Sequence, residues 1–282
     1  MKSLGPLPLN TLPYFTAIAA AKQQPRRQRL QILSPHVAAR YTAYAQNTAN
    51  LVPLGVVPVT PEQRTDLIHC YESPTGALNG LKVDIEKHHN NTCPDIAALC
   101  QYCGLTYGPS EFDHYLPKES FPEFSVLSLN LVPCCGECNG LKGTAWLDAN
   151  GVREIVSLYY DTLPNQRFLH ADIQVNAGPK VVPVAQFRLS NNPADYGGLM
   201  ATVHNHYKNL DLLVRYRRAA CARFSDIKIE FGPLVLTKGI GAVAQMLLKK
   251  AGDLNNSRSP NYWEVALLSG MANSAAYLNS LP

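Results

Sequence analysis

Two short stretches of the chain, Cys100-Gln101-Tyr102-Cys103 and Cys135-Gly136-Glu137-Cys138, have the spacing that sets two thiolates on one metal ion. Taken together they offer four sulfurs, which suit a closed tetrahedral zinc site. Such a site leaves no position for a reacting water, so its role is structural. Cys134 adjoins the second pair, and the CxxC spacing selects Cys135 as the ligand. The alternative is ordinary buried thiols, small apolar side chains that pack without metal.

The segment between the pairs, Gly104 through Cys134, is longer than the roughly 15–20 residues that separate the knuckles of a generic zinc ribbon, and has room for a hairpin. It carries Asp113-His114 and Asn130, and Asn139 follows the second knuckle directly. A zinc ion at the two ends would hold these polar side chains near one another on a piece of chain too small for much core of its own. Without that frame, Asp113-His114 reads as a surface pair and Asn139 as a helix cap.

CQYCG, then DHYLPKE, then NLVPCCGECNGLKG resembles the HNH endonucleases, in the variant whose third signature residue is asparagine and whose ββα-metal hairpin is pinned by two zinc knuckles. The likeness covers about residues 100–145. It implies a treble-clef-like centre that hydrolyses phosphodiester bonds in DNA, with RNA not excluded, leaving a 5′-phosphate and a 3′-hydroxyl. By the same resemblance His114 is the general base, Asn130 orients it and braces the loop, and Asp113 and Asn139 ligate the catalytic cation. Both ligands offer oxygen, which favours magnesium or manganese over zinc or nickel. Lys118 and Lys142 flank the site and are candidates to meet phosphates, with solvated lysines as the alternative. Phe112, Phe121 and Phe124 read as the small core of the hairpin.

These residues need elements to position them. Thr60-Pro61-Glu62-Gln63 is a capping box with proline at the first helical position, predicting a helix to about Tyr71. A second helix is predicted over Gly76 to His89, with a His89 imidazolium complementing its dipole. Helical spacing from Thr11 to Ala49 is expected to break near Pro25 and Pro35. LVPLGVVPVT reads as an extended connector.

Beyond Gly151, REIVSLYYDTL, FLHADIQV and VVPVAQFRLS alternate apolar residues, the last two joined by the turn-like NAGPK, and predict a small antiparallel sheet. Helices are expected over Tyr196–Phe224, Gly241–Lys250 and Asn261–Asn279. In the first of these, Arg217 falls on the apolar stripe, while Arg215, Arg218 and Arg223 form the best candidate surface for phosphate contact outside the centre, Arg215 and Arg218 foremost. Arg26, Arg27 and Arg29 read as a solvated basic patch.

The expected fold is therefore α+β in three parts: a mainly helical region 1–92, the zinc-pinned nuclease domain 93–150, and a sheet-plus-helix region 151–282. With 282 residues, 46% of them hydrophobic, the chain has ample material for a buried core. A net charge of +4 permits an anionic partner, yet charged residues make up only 16%, so charge alone does not select one. No apolar run reaches the roughly 18 residues of a membrane span, and prolines interrupt the first residues where a signal peptide would be apolar. The expectation is a cytoplasmic protein, since paired CxxC motifs belong with a reducing compartment. One such centre cuts one strand, so a homodimer or an activating protein partner is a further expectation, and defence, restriction or mobile-element biology in bacteria is the setting that the resemblance implies. The competing reading is a non-catalytic zinc module that binds nucleic acid or protein.

Overall fold

The computed structural model describes residues 4, 9–105, 108, 110–176 and 182–281. It is mostly helical, with two small antiparallel sheets of two strands each, and the chain forms two compact units. One is built from the described residues up to Tyr102 together with Gly108–Thr162, and the other from Leu163–Pro282 with the short segment that starts at Cys103.

In the first unit, helices α1 (Leu12–Ala20), α2 (Arg26–Gln46), α3 (Pro61–Glu72), α4 (Gly76–Thr92) and the single turn α5 (Pro94–Ala97) precede strands β1 (Glu111–His114) and β2 (Leu131–Cys134) and helix α6 (Gly136–Lys142). In α2 the residues Leu30, Leu33, Val37, Tyr41 and Tyr44 recur every three or four positions and are all buried, the stripe by which an amphipathic helix joins a core. Pro35 does not break this helix. Its missing N–H would have met Gln31, and both residues lie on the exposed face, where water satisfies the freed carbonyl.

The capping box at α3 forms as predicted: the Gln63 N–H donates to Thr60 Oγ1 at 3.2 Å and the Thr60 N–H to Gln63 Oε1 at 2.9 Å. The connector before it contains one turn of 3-10 helix, Val52–Leu54. Helix α4 runs three residues past His89, which is buried rather than a charged end group. Burial pushes the His89 imidazole down to about 4, with neighbouring His88 adding to the shift, so it is neutral at pH 7 and the expected imidazolium–dipole pairing is corrected.

The basic run at the start of α2 is likewise paired. Arg26 and Arg29 both reach the buried carboxylate of Asp66, at 2.8 and 2.5 Å, and Arg27 donates to the Lys22 carbonyl.

REIVSLYYDTL does not form a strand. Ile155, Val156, Leu158 and Tyr159 are all buried, which an alternating two-faced strand does not allow. The segment is held by side chains: Asp161 accepts from Arg153 and from the Ser157 N–H, and Tyr159 Oη donates to the Leu131 carbonyl.

In the second unit, β3 (Leu169–Val175) pairs with β4 (Pro183–Leu189), with His170 opposite Arg188 and Ile173 opposite Ala185. Most of the expected turn between them lies outside the described residues. Helices α7 (Met200–Asn209), α8 (Leu212–Lys238), α9 (Ile240–Ser257), α10 (Trp263–Asn273) and α11 (Ala275–Leu278) complete the unit. The helix expected over Tyr196–Phe224 is divided at Asp211, whose φ of 49° is left-handed, and α8 then continues well past Phe224. Helix α10 lies so close to β3 that a Cβ at Gly270 would stand 2.2 Å from the Ala171 carbonyl oxygen, and only glycine permits that approach. No helix among the described residues is long and apolar enough to cross a membrane.

Candidate metal centre and active site

Cys100, Cys103, Cys135 and Cys138 are all buried, and their sulfurs lie within 4.8 Å of one another. A tetrahedral zinc with bonds of about 2.3 Å sets its sulfurs about 3.8 Å apart, so the donor set fits. The backbone supports thiolates here: the Cys135 N–H donates to Cys100 Sγ at 3.3 Å and the Leu105 N–H to Cys103 Sγ at 3.4 Å. Such N–H···S bonds orient metal-bound sulfur and offset its charge. Cys134 is buried but outside the cluster, in the register that the CxxC spacing selected. The cluster is consistent with a structural zinc.

The hairpin between the knuckles pairs Glu111 with Cys134, Asp113 with Val132 and His114 with Leu131. Three of its four β1 residues and all four of β2 are buried, too much burial for a hairpin this short to arrange alone. The flanking helices supply the cover. Tyr71 Oη, from α3, donates to the Phe112 carbonyl, and its ring stands edge-on to the His114 imidazole with centroids 4.4 Å apart. Tyr44 packs edge-on against Phe124 at 5.0 Å. Phe112, Phe121 and Phe124 are buried, as core rather than stacking platforms.

His114 ends β1, and its Nε2 lies 2.9 Å from the Ser125 carbonyl oxygen. A carbonyl accepts only, so Nε2 carries the proton and Nδ1 keeps its lone pair. Burial holds this imidazole down at about 4, against the smaller upward pull of the Ser125 carbonyl, and Lys118 and Lys142 add to the lowering. The His114 imidazole is neutral at pH 7.

Asn130 is fully buried. Its Oδ1 accepts the Leu116 N–H at 2.8 Å, and its Nδ2 donates to the carbonyls of Leu116 at 3.0 Å and Phe124 at 3.3 Å. It therefore ties together both ends of the loop that leaves His114 and returns to Ser125.

Asp113 is 3% exposed. Tyr102 Oη donates to its Oδ2 at 2.6 Å, and Lys142 Nζ lies 3.0 Å from Oδ2 and 3.2 Å from Oδ1. Asn139 sits on α6 with Nδ2 donating to Glu111 Oε2 at 2.6 Å, which leaves its Oδ1 as an acceptor. Asp113, His114, Asn139 and Glu111 all line one cavity of about 700 Å³. A Cβ at Gly136 would stand 2.8 Å from Glu111 Oε1, so the bare glycine admits that carboxylate. The donors at this cavity are carboxylate and amide oxygens beside an imidazole base, a set able to hold a hard divalent cation such as magnesium or manganese.

Glu111 was not singled out from the sequence. Its position one strand residue from Phe112 is unremarkable in the linear chain, and only the pairing of β1 with β2 carries it to α6.

The four basic candidates are placed differently from one another. Lys118 borders the cavity and pairs with Glu119 at 2.8 Å. Lys142 is 2% exposed, with its ammonium turned onto Asp113 and the His114 carbonyl. In the second unit Arg215 is buried and donates to the Leu210 carbonyl, whereas Arg217 and Arg218 are exposed. The buried stripe of α8 thus carries Arg215 in place of Arg217, and of the two foremost phosphate-contact candidates, Arg215 and Arg218, only Arg218 is open to solvent.

The chain is 26% identical over 251 residues to Protein ea31 of Escherichia phage lambda, an alignment that covers 77% of this chain and 81% of that protein. Over 49 residues it is 41% identical to the Septu protein PtuB of Bacillus thuringiensis, which is 16% of this chain and 19% of that protein. No protein-family model and no solved structure matches the chain. The protein is thus distantly similar to a phage protein over most of its length and to a Septu protein over a short stretch, around a fold with a buried four-cysteine cluster.

Proposed function

We propose that the first unit holds an HNH-type endonuclease centre that hydrolyses phosphodiester bonds in DNA with a magnesium or manganese ion, in phage-related or defence biology. The observation that carries this reading is His114: a neutral imidazole with Nε2 committed to a carbonyl, opening on the cavity that also holds Asp113, Asn139 and Glu111.

The chain's own groups account for most of the chemistry. Nδ1 of His114 accepts the proton of an attacking water. The Ser125 carbonyl fixes the ring and stabilises the charge it gains. Asn130 holds the loop that positions both. The cation, when held by Asp113 and Asn139, supplies charge shielding on the phosphate and at the departing oxygen. Lys118, at the cavity edge, is placed to meet a flanking phosphate, and the exposed Arg218 is a candidate contact in the second unit. One centre cuts one strand, so a double-strand break calls for a second copy or successive nicks. The similarity to Protein ea31 and PtuB supports the phage and defence setting.

A second reading has its own support. Lys142 and Tyr102 already satisfy Asp113, as in a structural ion pair, which favours a zinc module that binds nucleic acid or protein without cutting. A nicking assay on supercoiled plasmid decides between them, using zinc-loaded wild type and His114→Ala in magnesium, in manganese and in EDTA. Metal-dependent nicking by wild type, lost in His114→Ala at unchanged zinc content, is the expected result. Equal cutting by both proteins would remove His114 as the base. Absence of cutting on duplex DNA, single-stranded DNA and structured RNA alike would leave the zinc-module reading standing.

A further inference from the structure

Lys142 is buried at the heart of the candidate site. Its side chain has no exposed surface, and its ammonium meets three oxygens: Asp113 Oδ2 at 3.0 Å, Asp113 Oδ1 at 3.2 Å and the His114 carbonyl at 2.8 Å. It lies three residues after Asn139 on the same short helix, which ends at Gly143 in a left-handed conformation. Asp113, His114 and Asn139 border the cavity, and Lys142 does not. The ammonium therefore reaches the carboxylate from the protein interior, where an anchored side chain with three acceptors has no water to retreat to.

That placement changes the charge available to a cation. Of the two proposed ligands only Asp113 is charged, and Lys142 cancels it. Glu111, the neighbouring carboxylate, is engaged with the Asn139 amide. A divalent ion entering the free protein meets a ligand pair with no net charge and a fixed ammonium close behind it, and hard cations held by few carboxylates depend on substrate phosphates to complete their shell.

We propose that Lys142 is a positioning residue that makes the catalytic cation and the nucleic acid bind together: the free protein holds the cation weakly, and the phosphodiester supplies the missing negative charge. This rests on the nuclease reading above. It adds an order to it, with metal entering at the protein–nucleic acid complex.

The test measures Mn²⁺ binding by the loss of the free-ion EPR signal, on full-length, zinc-loaded protein in the His114→Ala background, with and without duplex DNA. Duplex is expected to tighten Mn²⁺ binding about tenfold or more, and Lys142→Met about tenfold or more without duplex, because the buried Asp113 then needs a new cation. Lys142→Arg, which keeps the charge, should retain the duplex dependence. Zinc content and thermal melting of each variant report folding, and the duplex dependence of the parent protein needs no Lys142 variant at all. Equal Mn²⁺ affinity with and without duplex, alongside intact metal-dependent nicking by wild type, overturns the coupling and leaves the nuclease reading in place. No Mn²⁺ binding under any condition, with no nicking, overturns both.

Discussion

Removing the Asn130 side chain strands buried backbone at the loop that carries the proposed base. In Asn130→Ala the Leu116 N–H and the Leu116 carbonyl each lose the side-chain partner described above. The Phe124 carbonyl fares better, because it also accepts the Leu127 N–H at 3.2 Å. At roughly 1–3 kcal/mol for each of these two stranded groups, the cost is about 2–6 kcal/mol, a large part of the total stability of an ordinary domain. Asn130→Asp is the sharper probe. Its carboxylate still accepts from the Leu116 N–H but turns a second acceptor toward two carbonyls, so at pH 7 it should cost at least as much as alanine. Urea unfolding of the zinc-loaded protein measures both, with Trp263→Phe as background so that Trp146, packed 5.4 Å from the Tyr115 ring, is the sole indole reporter. A cost under about 1 kcal/mol for Asn130→Ala, or wild-type stability for Asn130→Asp at pH 7, would refute the bracing role.

Three further outcomes are expected. Cys135→Ser should lower bound zinc, read by a chromogenic chelator after unfolding, and depress the melting temperature, since a structural zinc contributes directly to folding. Stability should fall as pH drops from about 6.5 to about 4, because the unfolded chain takes up protons that buried, neutral His89 refuses; the loss is about 2 kcal/mol by pH 5 from this histidine, and His89→Gln should flatten that part of a pH series of urea midpoints. Arg40 pairs with the buried Glu123 at 2.8 Å and donates to the Leu54 and Gly55 carbonyls, so Arg40→Met should cost about 3–5 kcal/mol. Adding Glu123→Gln should recover part of that in a double-mutant cycle.

What could be read from the sequence was local. The CxxC spacing, the Thr60–Gln63 capping box and the alternation in FLHADIQV and VVPVAQFRLS are each complete within a dozen residues, and each has its counterpart in the structure. Three things were hidden because they depend on partners distant in sequence. Lys142 reads as a phosphate contact or a solvated lysine until the fold sets Asp113 beside it. Arg215 and Arg217 exchange places on α8 because the face that packs is the one carrying Leu212, Tyr216, Ala220, Phe224 and Ile227, and not the one carrying Leu213, Val214 and Cys221. Ile155 through Tyr159 alternate like a strand, but their burial comes from a segment tied down by Asp161 and Arg153, which periodicity does not reveal. The roles of His114, Asp113, Asn130 and Asn139 remain proposals drawn from a family resemblance, to which the structure adds placement and hydrogen bonds.

The supports of the hairpin come from far along the chain. Thr11 Oγ1 bonds to Ser128 Oγ at 2.6 Å, Tyr44 Oη donates to the Leu129 carbonyl, and Tyr115 Oη reaches the Ile155 carbonyl. During synthesis, the ribosome must therefore release everything from Thr11 to Asp161 before β1 and β2 have their full surroundings. At about 5–20 residues per second, the stretch from His114 to Asp161 takes about 2–9 seconds, during which a half-made chain carries the proposed base without all of its supports. Under the nuclease reading proposed above, the centre gains the shape that cuts only once the whole first unit has closed, and a minimal zinc hairpin excised from it is expected to bind metal without cutting.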